Sequence, residues 1–253
     1  MLHSGERQTQ GEDAGGHAAR RREQLKELFH EVRGCVRCPE LARTRTNVVF
    51  GAGNADAELM FVGEAPGASE DEQGLPFVGR AGRLLEELLG AIGMSRQEVF
   101  IANVLKCRPP GNRDPRPTEI ESCRGYLYRQ LELIQPRVLC TLGNFATKLL
   151  RESDLGITRV HGRPEVATIG PRTLRLYPLY HPAAALRSPV MLEALREDFR
   201  RIPALLAMAP PEQPAETQAP RIAELLALGD EQASAEGRDQ DGQGEGGAQL
   251  GLF

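Results

Sequence analysis

The sequence lacks any run of about 18 apolar residues, the length that a helix needs to span a membrane. It also lacks an apolar segment near its polar N-terminus, so we predict no secretory signal peptide and expect a cytoplasmic, nucleoid-associated protein. Cysteine is scarce, with 5 residues in 253. In a cytoplasmic chain so few cysteines indicate metal binding or free thiols, and they argue against a disulfide framework.

Charge is divided unevenly along the chain, although the net charge is only −4. Residues 209–253 contain nine Asp/Glu and two Arg, a balance of −7, so residues 1–208 carry 29 Lys/Arg against 26 Asp/Glu, a balance of +3. Residues 1–20 and 209–248 have few large apolar side chains, and we predict that both are disordered. The foldable part, 21–208, is mildly basic, which is compatible with nucleic acid binding but does not require it.

Short apolar runs of strand length alternate with helical patterns through this foldable part. The predicted strands are 59–62, 98–106, 137–142 and 173–180. Such alternation predicts a single α/β domain with a central, mainly parallel sheet flanked by helices.

Polar side chains follow the ends of several predicted strands. Glu64, Asn103 and His181 each lie at or close to such an end. Because ligands of open parallel sheets bind beyond the carboxyl ends of the strands, these residues mark the expected site.

Four of the five cysteines form two pairs, Cys35 with Cys38 and Cys107 with Cys123. Two thiolates in Cys-x-x-Cys spacing bind one metal site, and two further thiolates complete a tetrahedral shell. Spacing alone does not separate zinc from an iron–sulfur cluster. Cys140 lies inside an apolar strand, and we predict that it packs in the core.

With these motifs in place, the sequence resembles the family 4 uracil-DNA glycosylases of bacterial type. The matching motifs lie in order at 63–67 (GEAPG), 70–71 (ED), 74–82 (GLPFVGRAG), 103–109 (NVLKCRP) and 181–183 (HPA). The resemblance covers roughly residues 23–207. It implies an α/β/α sandwich and a monofunctional enzyme that hydrolyses the N-glycosidic bond of flipped-out uracil to start base excision repair. It also favours a [4Fe–4S] cluster over zinc at the four cysteines.

The resemblance suggests how the base is held. A flipped base must be stacked, read at its edge and detached from the sugar. Phe77 is expected to stack on uracil, and the amide of Asn103 to read the O4/N3 edge. Backbone groups around Gly63, Glu64 and Ala65 are expected to bind the uracil carbonyls.

Cleavage of the glycosidic bond builds negative charge on the base and positive charge on the sugar, and the enzyme must stabilise both. His181 is expected to stabilise the anionic charge that develops at uracil O2. A carboxylate is expected to handle the attacking water, with Glu70 favoured, Glu64 second and Asp71 also near the substrate. Ala65 stands where many related enzymes have a water-positioning aspartate, so the identity of this carboxylate stays open.

Other residues are expected to contact DNA. Leu186 or Arg187, which follow the His-Pro-Ala motif, could fill the space that the flipped base vacates. Arg108, Arg113 and Arg116 are plausible phosphate contacts. His161 is expected to lie on a surface loop.

The last five residues, 249–253, differ from the acidic segment before them. Gln249, Leu250, Leu252 and Phe253 look like the QLxLF peptide with which bacterial replication and repair proteins bind the sliding clamp. About 40 flexible residues before this peptide give a reach of roughly 35 Å. We therefore expect clamp binding through this peptide by a protein that is otherwise a monomer.

Two other functions compete with uracil excision. The same fold could act on another deaminated base, such as hypoxanthine or xanthine, or the protein could be an iron–sulfur DNA-binding accessory that does not cleave. Intact Glu64, Phe77, Asn103 and His181 argue against the accessory protein. No nucleophilic lysine is evident, so we predict no strand nicking.

Overall fold

A six-stranded sheet forms the centre of this computed structural model, which describes residues 6–214. The strands are β1 (Ala52–Gly53), β2 (Leu59–Gly63), β3 (Phe100–Asn103), β4 (Val138–Leu142), β5 (Glu165–Ile169) and β6 (Arg172–Leu179). Their order across the sheet is β1-β3-β2-β4-β6-β5. The four central strands are parallel, and β1 and β5 pair antiparallel at the two edges. The predicted α/β fold with a mainly parallel sheet is therefore confirmed.

Helices cover both faces of this sheet. They are α1 (Glu6–Arg33), α2 (Pro39–Thr44), α3 (Ala68–Gln73), α4 (Arg80–Ala91), α5 (Pro117–Ile134), α6 (Asn144–Arg151), α7 (Ile157–Val160), α8 (Pro182–Ala185), α9 (Pro189–Arg200) and α10 (Ile202–Ala207). Strands β2, β3 and β4 are buried at every residue because they are covered on both sides, as parallel strands usually are. No helix of the described chain has the length and apolarity to cross a membrane.

Two clusters of buried apolar residues lie between the sheet and the helices on its two faces. On one face, Leu28 of α1 and Leu127 of α5 pack towards Met60 of β2. On the other face, Phe61 of β2 stacks on Phe199 of α9, with 5.6 Å between the ring centroids. Successive residues of β2 thus pack against helices on opposite faces of the sheet.

Three elements differ from the sequence-based prediction. The expected disorder of residues 1–20 is wrong from Glu6 onward, because α1 begins there and extends outward from the turns that pack at Leu25 and Leu28. Residues 1–5 lie outside the described chain. Helix α3 occupies part of the predicted loop between β2 and α4, and β5 is a half-exposed edge strand that was not predicted.

The described chain ends against the amino ends of β4 and β6. The Arg137 guanidinium donates to the Met208 carbonyl at 2.6 Å, and Arg175 donates to the Ala209 carbonyl. Gln213 donates to the Thr173 carbonyl at 2.8 Å. The predicted flexible linker is therefore held to the domain over its first residues. The rest of it, and the predicted clamp peptide, lie outside the described residues.

Candidate active site and cysteine cavity

The carboxyl ends of three parallel strands meet at one cavity of about 210 Å³. Strand β2 ends at Gly63, β3 ends at Asn103, and His181 follows the end of β6. The predicted site residues that line the cavity are Glu64, Ala65, Glu70, Phe77, Asn103 and His181. Residues predicted from separate motifs are thus brought together by the sheet.

The Phe77 ring forms one wall of the cavity. It lies parallel to the His181 ring within 27°, at 5.6 Å between centroids. Gly63 makes this approach possible, because a Cβ atom there would lie 2.5 Å from Asn103 Oδ1 and 2.8 Å from the Phe77 ring. Gly63 therefore contributes to the cavity through its missing side chain.

Asn103 presents a buried amide to the cavity. The residue is 2% exposed, and its Oδ1 has no hydrogen-bond partner among the described residues. An unpaired buried polar atom costs about 1–3 kcal/mol, and such an atom in a native protein calls for an explanation. A ligand that donates a hydrogen bond to Asn103 Oδ1 would explain why this atom has no partner in the protein.

His181 is held in one tautomer by the turn that follows it. Its Nδ1 accepts a hydrogen bond from the Ala183 amide at 3.1 Å, so the proton of the neutral ring lies on Nε2. Burial lowers the pKa of His181 to about 4, although the negative charge of Glu70 opposes this change. At neutral pH the ring is therefore an uncharged Nε2–H donor.

The two glutamates that line the cavity differ in their surroundings. Burial raises the pKa of Glu64 to about 7, the negative charge of Asp114 adds to this effect, and no hydrogen bond contributes. The carboxylate of Glu70 accepts hydrogen bonds from the Val78 and Gly79 amides at 3.0 and 2.9 Å. Glu70 thus holds the segment that follows Phe77, whereas Glu64 has the freer carboxylate.

Asp71 lies outside the cavity, contrary to the expectation that it contacts substrate. The residue is 4% exposed, and its carboxylate accepts hydrogen bonds from the Thr46 and Asn47 amides at 3.0 and 3.3 Å. The reason is that Glu70 and Asp71 are neighbours on helix α3, and adjacent helical residues point in different directions. Asp71 ties α3 to the segment after α2.

Arg96 is a residue that the sequence analysis missed. Its guanidinium donates to the carbonyls of Pro76 and Phe77, the latter at 2.8 Å. Phe77 has a φ of +52°, which is unfavourable for a side chain of this size. Gly82 supports the same turn, because a Cβ atom there would overlap the Phe77 carbonyl. A lone arginine after a helix gave no sequence signal for this role.

All four paired cysteines line a second, smaller cavity behind the first. They are Cys35, Cys38, Cys107 and Cys123, and none forms a disulfide. Among residues 6–214 no three Cys, His, Asp or Glu side chains form a group that could hold one metal ion. The four thiols line one shared space.

Hydrogen-bond donors surround this cysteine cavity. Arg45 donates to the Cys107 sulfur at 3.1 Å, and the Lys106 amide donates to the Cys123 sulfur at 3.4 Å. Burial raises the pKa of Cys123 to about 12, so its thiol keeps its proton at neutral pH until a metal displaces it. Donors to sulfur are typical of iron–sulfur sites, and the residues present fit such a group.

The three arginines that were predicted to contact phosphate bind other side chains of the protein. Arg113 pairs with Glu40 at 2.9 Å and with Glu119 at 2.6 Å, and Arg116 pairs with Glu40 at 2.7 Å. Arg108 donates to the Asn112 side chain at 2.7 Å. Arg113 and Arg116 therefore fix the loop between two cysteines, and they are not free cations.

Two further predictions concern residues away from the cavity. Cys140 is fully buried in β4, which confirms its place in the core. His161 is not simply a surface residue, because its Nδ1 lies 2.9 Å from the buried Asp198 carboxylate and its ring contacts Tyr180.

The predicted DNA wedge follows the cavity wall directly. Helix α8 begins after His181, and Ala183 lines the cavity. Leu186 ends this helix and is 40% exposed, and Arg187 is exposed beside it.

Known proteins match both the fold and these motifs. The family model of the uracil DNA glycosylase superfamily matches residues 50–202. The type-4 uracil-DNA glycosylase of Archaeoglobus fulgidus is 47% identical over 184 residues, which are 71% of this chain and 92% of that protein. The type-4 uracil-DNA glycosylase of Thermotoga maritima is 46% identical over 169 residues, 66% and 86% of the two chains. The type-5 uracil-DNA glycosylase of Pyrobaculum aerophilum is 28% identical over 199 residues, 66% and 87% of the two chains. The chain belongs to the uracil DNA glycosylase superfamily and, within it, to the type-4 uracil-DNA glycosylases.

Proposed function

We propose that this protein hydrolyses the N-glycosidic bond between uracil and deoxyribose in DNA, and so starts base excision repair. The convergence of Phe77, Asn103 and His181 in one cavity carries the proposal. These side chains supply a stacking face, an edge-reading amide and a neutral donor, which are the groups that base excision needs.

Recognition begins with the flipped base in the cavity. Uracil stacks on the Phe77 ring, and the Asn103 amide pairs with its O4/N3 edge. The unpaired Oδ1 of Asn103 accepts a hydrogen bond from the uracil N3–H group, and the side-chain NH₂ of Asn103 donates a hydrogen bond to O4. Cytosine presents an amino group and an unprotonated N3 at these places, so the site disfavours it.

His181 acts as the base departs. The uracil gains negative charge as the glycosidic bond breaks, and the Nε2–H of His181 donates to its O2. A neutral donor is effective here because it is preorganised and needs no proton from solvent.

Glu64 positions the attacking water and balances the positive charge on the sugar. This reverses the order expected from the sequence, in which Glu70 came first. The Glu70 carboxylate binds the Val78 and Gly79 amides, so its main role is to position the Phe77 segment. The pKa of about 7 suits Glu64 to act as a base near neutral pH.

The enzyme is monofunctional and leaves the DNA strand intact. The chain has three lysines, Lys26, Lys106 and Lys148. None of them lines the cavity, so no lysine is placed to attack the sugar.

Cys35, Cys38, Cys107 and Cys123 would hold a [4Fe–4S] cluster. Through these residues it would link the segment between α1 and α2, the segment after β3 and helix α5, and metal binding would contribute folding free energy. The residues of this chain bind and orient the base, and the cluster stabilises the frame that carries them.

The protein works as a cytoplasmic monomer that is tethered to the sliding clamp. The tether is the C-terminal peptide, with Gln249, Leu250, Leu252 and Phe253 as contacts. Leu186, with Arg187 beside it, enters the duplex where the base has left.

One assay tests the catalytic proposal. Purified protein is incubated with an oligonucleotide that contains a single uracil, and free uracil is measured by chromatography, with Asn103→Ala as the control. We expect uracil release by the wild type and at least about 10²-fold less by the variant, because a lost positioning contact has an effect of this size. Parallel substrates contain hypoxanthine or xanthine. Preferential release of those bases, or no release from any substrate, would contradict the proposal.

A further inference from the structure

Lys106 belongs to a motif that the proposed mechanism leaves unexplained. The residue is 1% exposed and lies between Asn103 and Cys107. Its Nζ donates to the Asn103 carbonyl at 2.8 Å and to the Gln130 side chain at 2.6 Å. Gln130 is fully buried and is fixed in turn by a hydrogen bond to the Phe50 carbonyl at 2.9 Å. The ammonium therefore occupies a defined position under the end of β3.

The same residue borders the cysteine cavity. Lys106 lines that cavity, and its amide donates to the Cys123 sulfur at 3.4 Å. Both of its recorded acceptors are uncharged oxygens. A buried cation is costly without a negative partner. The thiolates at Cys107 and Cys123, once they bind metal, supply the nearby negative charge.

The backbone next to Lys106 is part of the base cavity. Strand β3 ends at Asn103, and the Val104 amide donates to the Gly63 carbonyl at 2.9 Å. The Leu105 amide donates to the Glu64 carbonyl at 3.0 Å. A displacement of residues 103–106 therefore moves the ends of two strands that carry substrate contacts.

We propose that Lys106 is a positioning residue that couples the cysteine cavity to base recognition. Its ammonium is retained in the interior by the charge of the occupied cysteine site, and it fixes the Asn103 carbonyl so that the Asn103 amide faces the base. This inference rests on the proposed function, because it assigns Lys106 a role through the residue that reads uracil.

A double-mutant cycle tests the coupling. Lys106→Met keeps the length of the side chain and removes the charge. We expect about tenfold lower kcat/KM for uracil in an otherwise wild-type protein, the usual effect of a lost hydrogen bond to a charged group. In the Asn103→Ala background we expect at most about a twofold effect, because the residue that Lys106 positions is already absent. Iron content per chain and visible absorption are measured for each variant.

Arg45→Met is the matched control. Arg45 also donates to a cysteine sulfur, but its other hydrogen bond goes to the Cys35 carbonyl and it has none to Asn103. Its effect on kcat/KM is expected to be the same with and without Asn103→Ala. A variant that acts only through cluster stability behaves in this way.

A second substitution covers the case in which Lys106→Met does not fold or loses its iron. Gln130→Met leaves Lys106 in place and removes one acceptor of its ammonium, and the same dependence on Asn103 is expected at normal iron content. Equal losses in the two backgrounds for both substitutions, or no loss for either, would overturn the inference. If the wild type itself released no uracil, the proposed function would fail instead.

Discussion

Gly63 has no side chain, and two side chains of the proposed site occupy the space that one would fill. Asn103 Oδ1 and the Phe77 ring both approach the position of its missing Cβ. A side chain at position 63 would therefore displace both groups.

We expect Gly63→Ala to lower kcat/KM for uracil by about 10²-fold, because displacement of positioning groups by roughly 1 Å has effects of this size. Overpacking is also expected to cost about 1–3 kcal/mol in the free energy of unfolding. Steady-state kinetics and urea denaturation measure the two effects. Gly90→Ala is the control, because Gly90 is exposed on α4 with open space around its Cα, and this change should leave activity intact.

Glu64 provides a test that depends on pH. If Glu64 acts as a carboxylate, kcat/KM rises with pH through its pKa of about 7 in the free enzyme, and Glu64→Gln removes this rise together with about 10²-fold of kcat/KM. Glu70→Gln is the comparison, because a glutamine oxygen still accepts from the Val78 and Gly79 amides. If Glu70→Gln abolished the rise and Glu64→Gln kept it, the assignment would be reversed.

The same residue predicts a change in stability. Folding raises the pKa of Glu64 from 4.5 to about 7, so the ionised form is disfavoured in the folded state. This cost is absent below about pH 4.5 and complete above about pH 7. Relative to Glu64→Gln, the wild type should therefore lose stability as the pH rises through this range, which thermal melting at several pH values measures.

At the residue scale the sequence predicted the positions but not all of the contacts. Glu64, Asn103 and His181 could be predicted because each lies at or close to the end of a strand, and parallel strands end on one side. Asp71 could not be assigned correctly, because its direction depends on helix α3, which glycine and proline around it concealed. Arg96 and Gln130 act across long sequence separations and carry no local pattern.

The segment that carries Phe77 is held as a unit. Glu70 binds two of its amides, and Arg96 binds two of its carbonyls. We expect Arg96→Met to cost about 1.5–3 kcal/mol in stability, as lost hydrogen bonds to a charged group do, and to raise KM for uracil-containing DNA because Phe77 can leave its unfavourable φ. Arg83→Met on the exposed face of α4 is the control. An unchanged KM in Arg96→Met would mean that the segment holds its shape without this arginine.

Helix α8 and Leu186, which ends it, form the element that we propose to contact DNA. We expect Leu186→Ala to lower the excision rate about tenfold in duplex DNA, because the vacated base position is no longer filled, and to leave single-stranded DNA unaffected. Rates on matched single- and double-stranded oligonucleotides measure the difference. Val190→Ala, an exposed apolar residue at the start of α9, serves as the control. Equal effects on both substrates would exclude a wedge.

At the scale of elements the long, buried strands were predictable and the marginal elements were not. Strands β2, β4 and β6 agree with the apolar runs to within a residue at each end, because burial on both faces leaves a continuous signal. Strand β5 is partly exposed, with Val166 64% exposed, so its apolar signal is weak. Helix α1 extends beyond its packed turns because a helix that is already nucleated can be prolonged without a second nucleation cost.

The whole molecule combines a catalytic domain with a C-terminal peptide. Removal of Leu252 and Phe253 should abolish binding to the sliding clamp and leave uracil release from short oligonucleotides unchanged. Surface plasmon resonance against the purified clamp and the base-release assay measure these outcomes. Replacement of Gln243 by alanine, upstream of the peptide, is the control. Retained clamp binding in the truncated protein would refute the assignment of the peptide.

Hydrogen bonds that hold residues 208–213 to the domain determine where the C-terminal tail leaves it. Arg137 and Thr173 receive this segment at the amino ends of β4 and β6, whereas the base cavity opens at the carboxyl ends. Strand β6 has eight residues, so the two sites lie roughly 25 Å apart along the sheet, at about 3.3 Å per residue. The point at which the tail leaves the domain therefore lies opposite the base cavity, and we expect a partner bound to the tail to leave that cavity free to contact DNA.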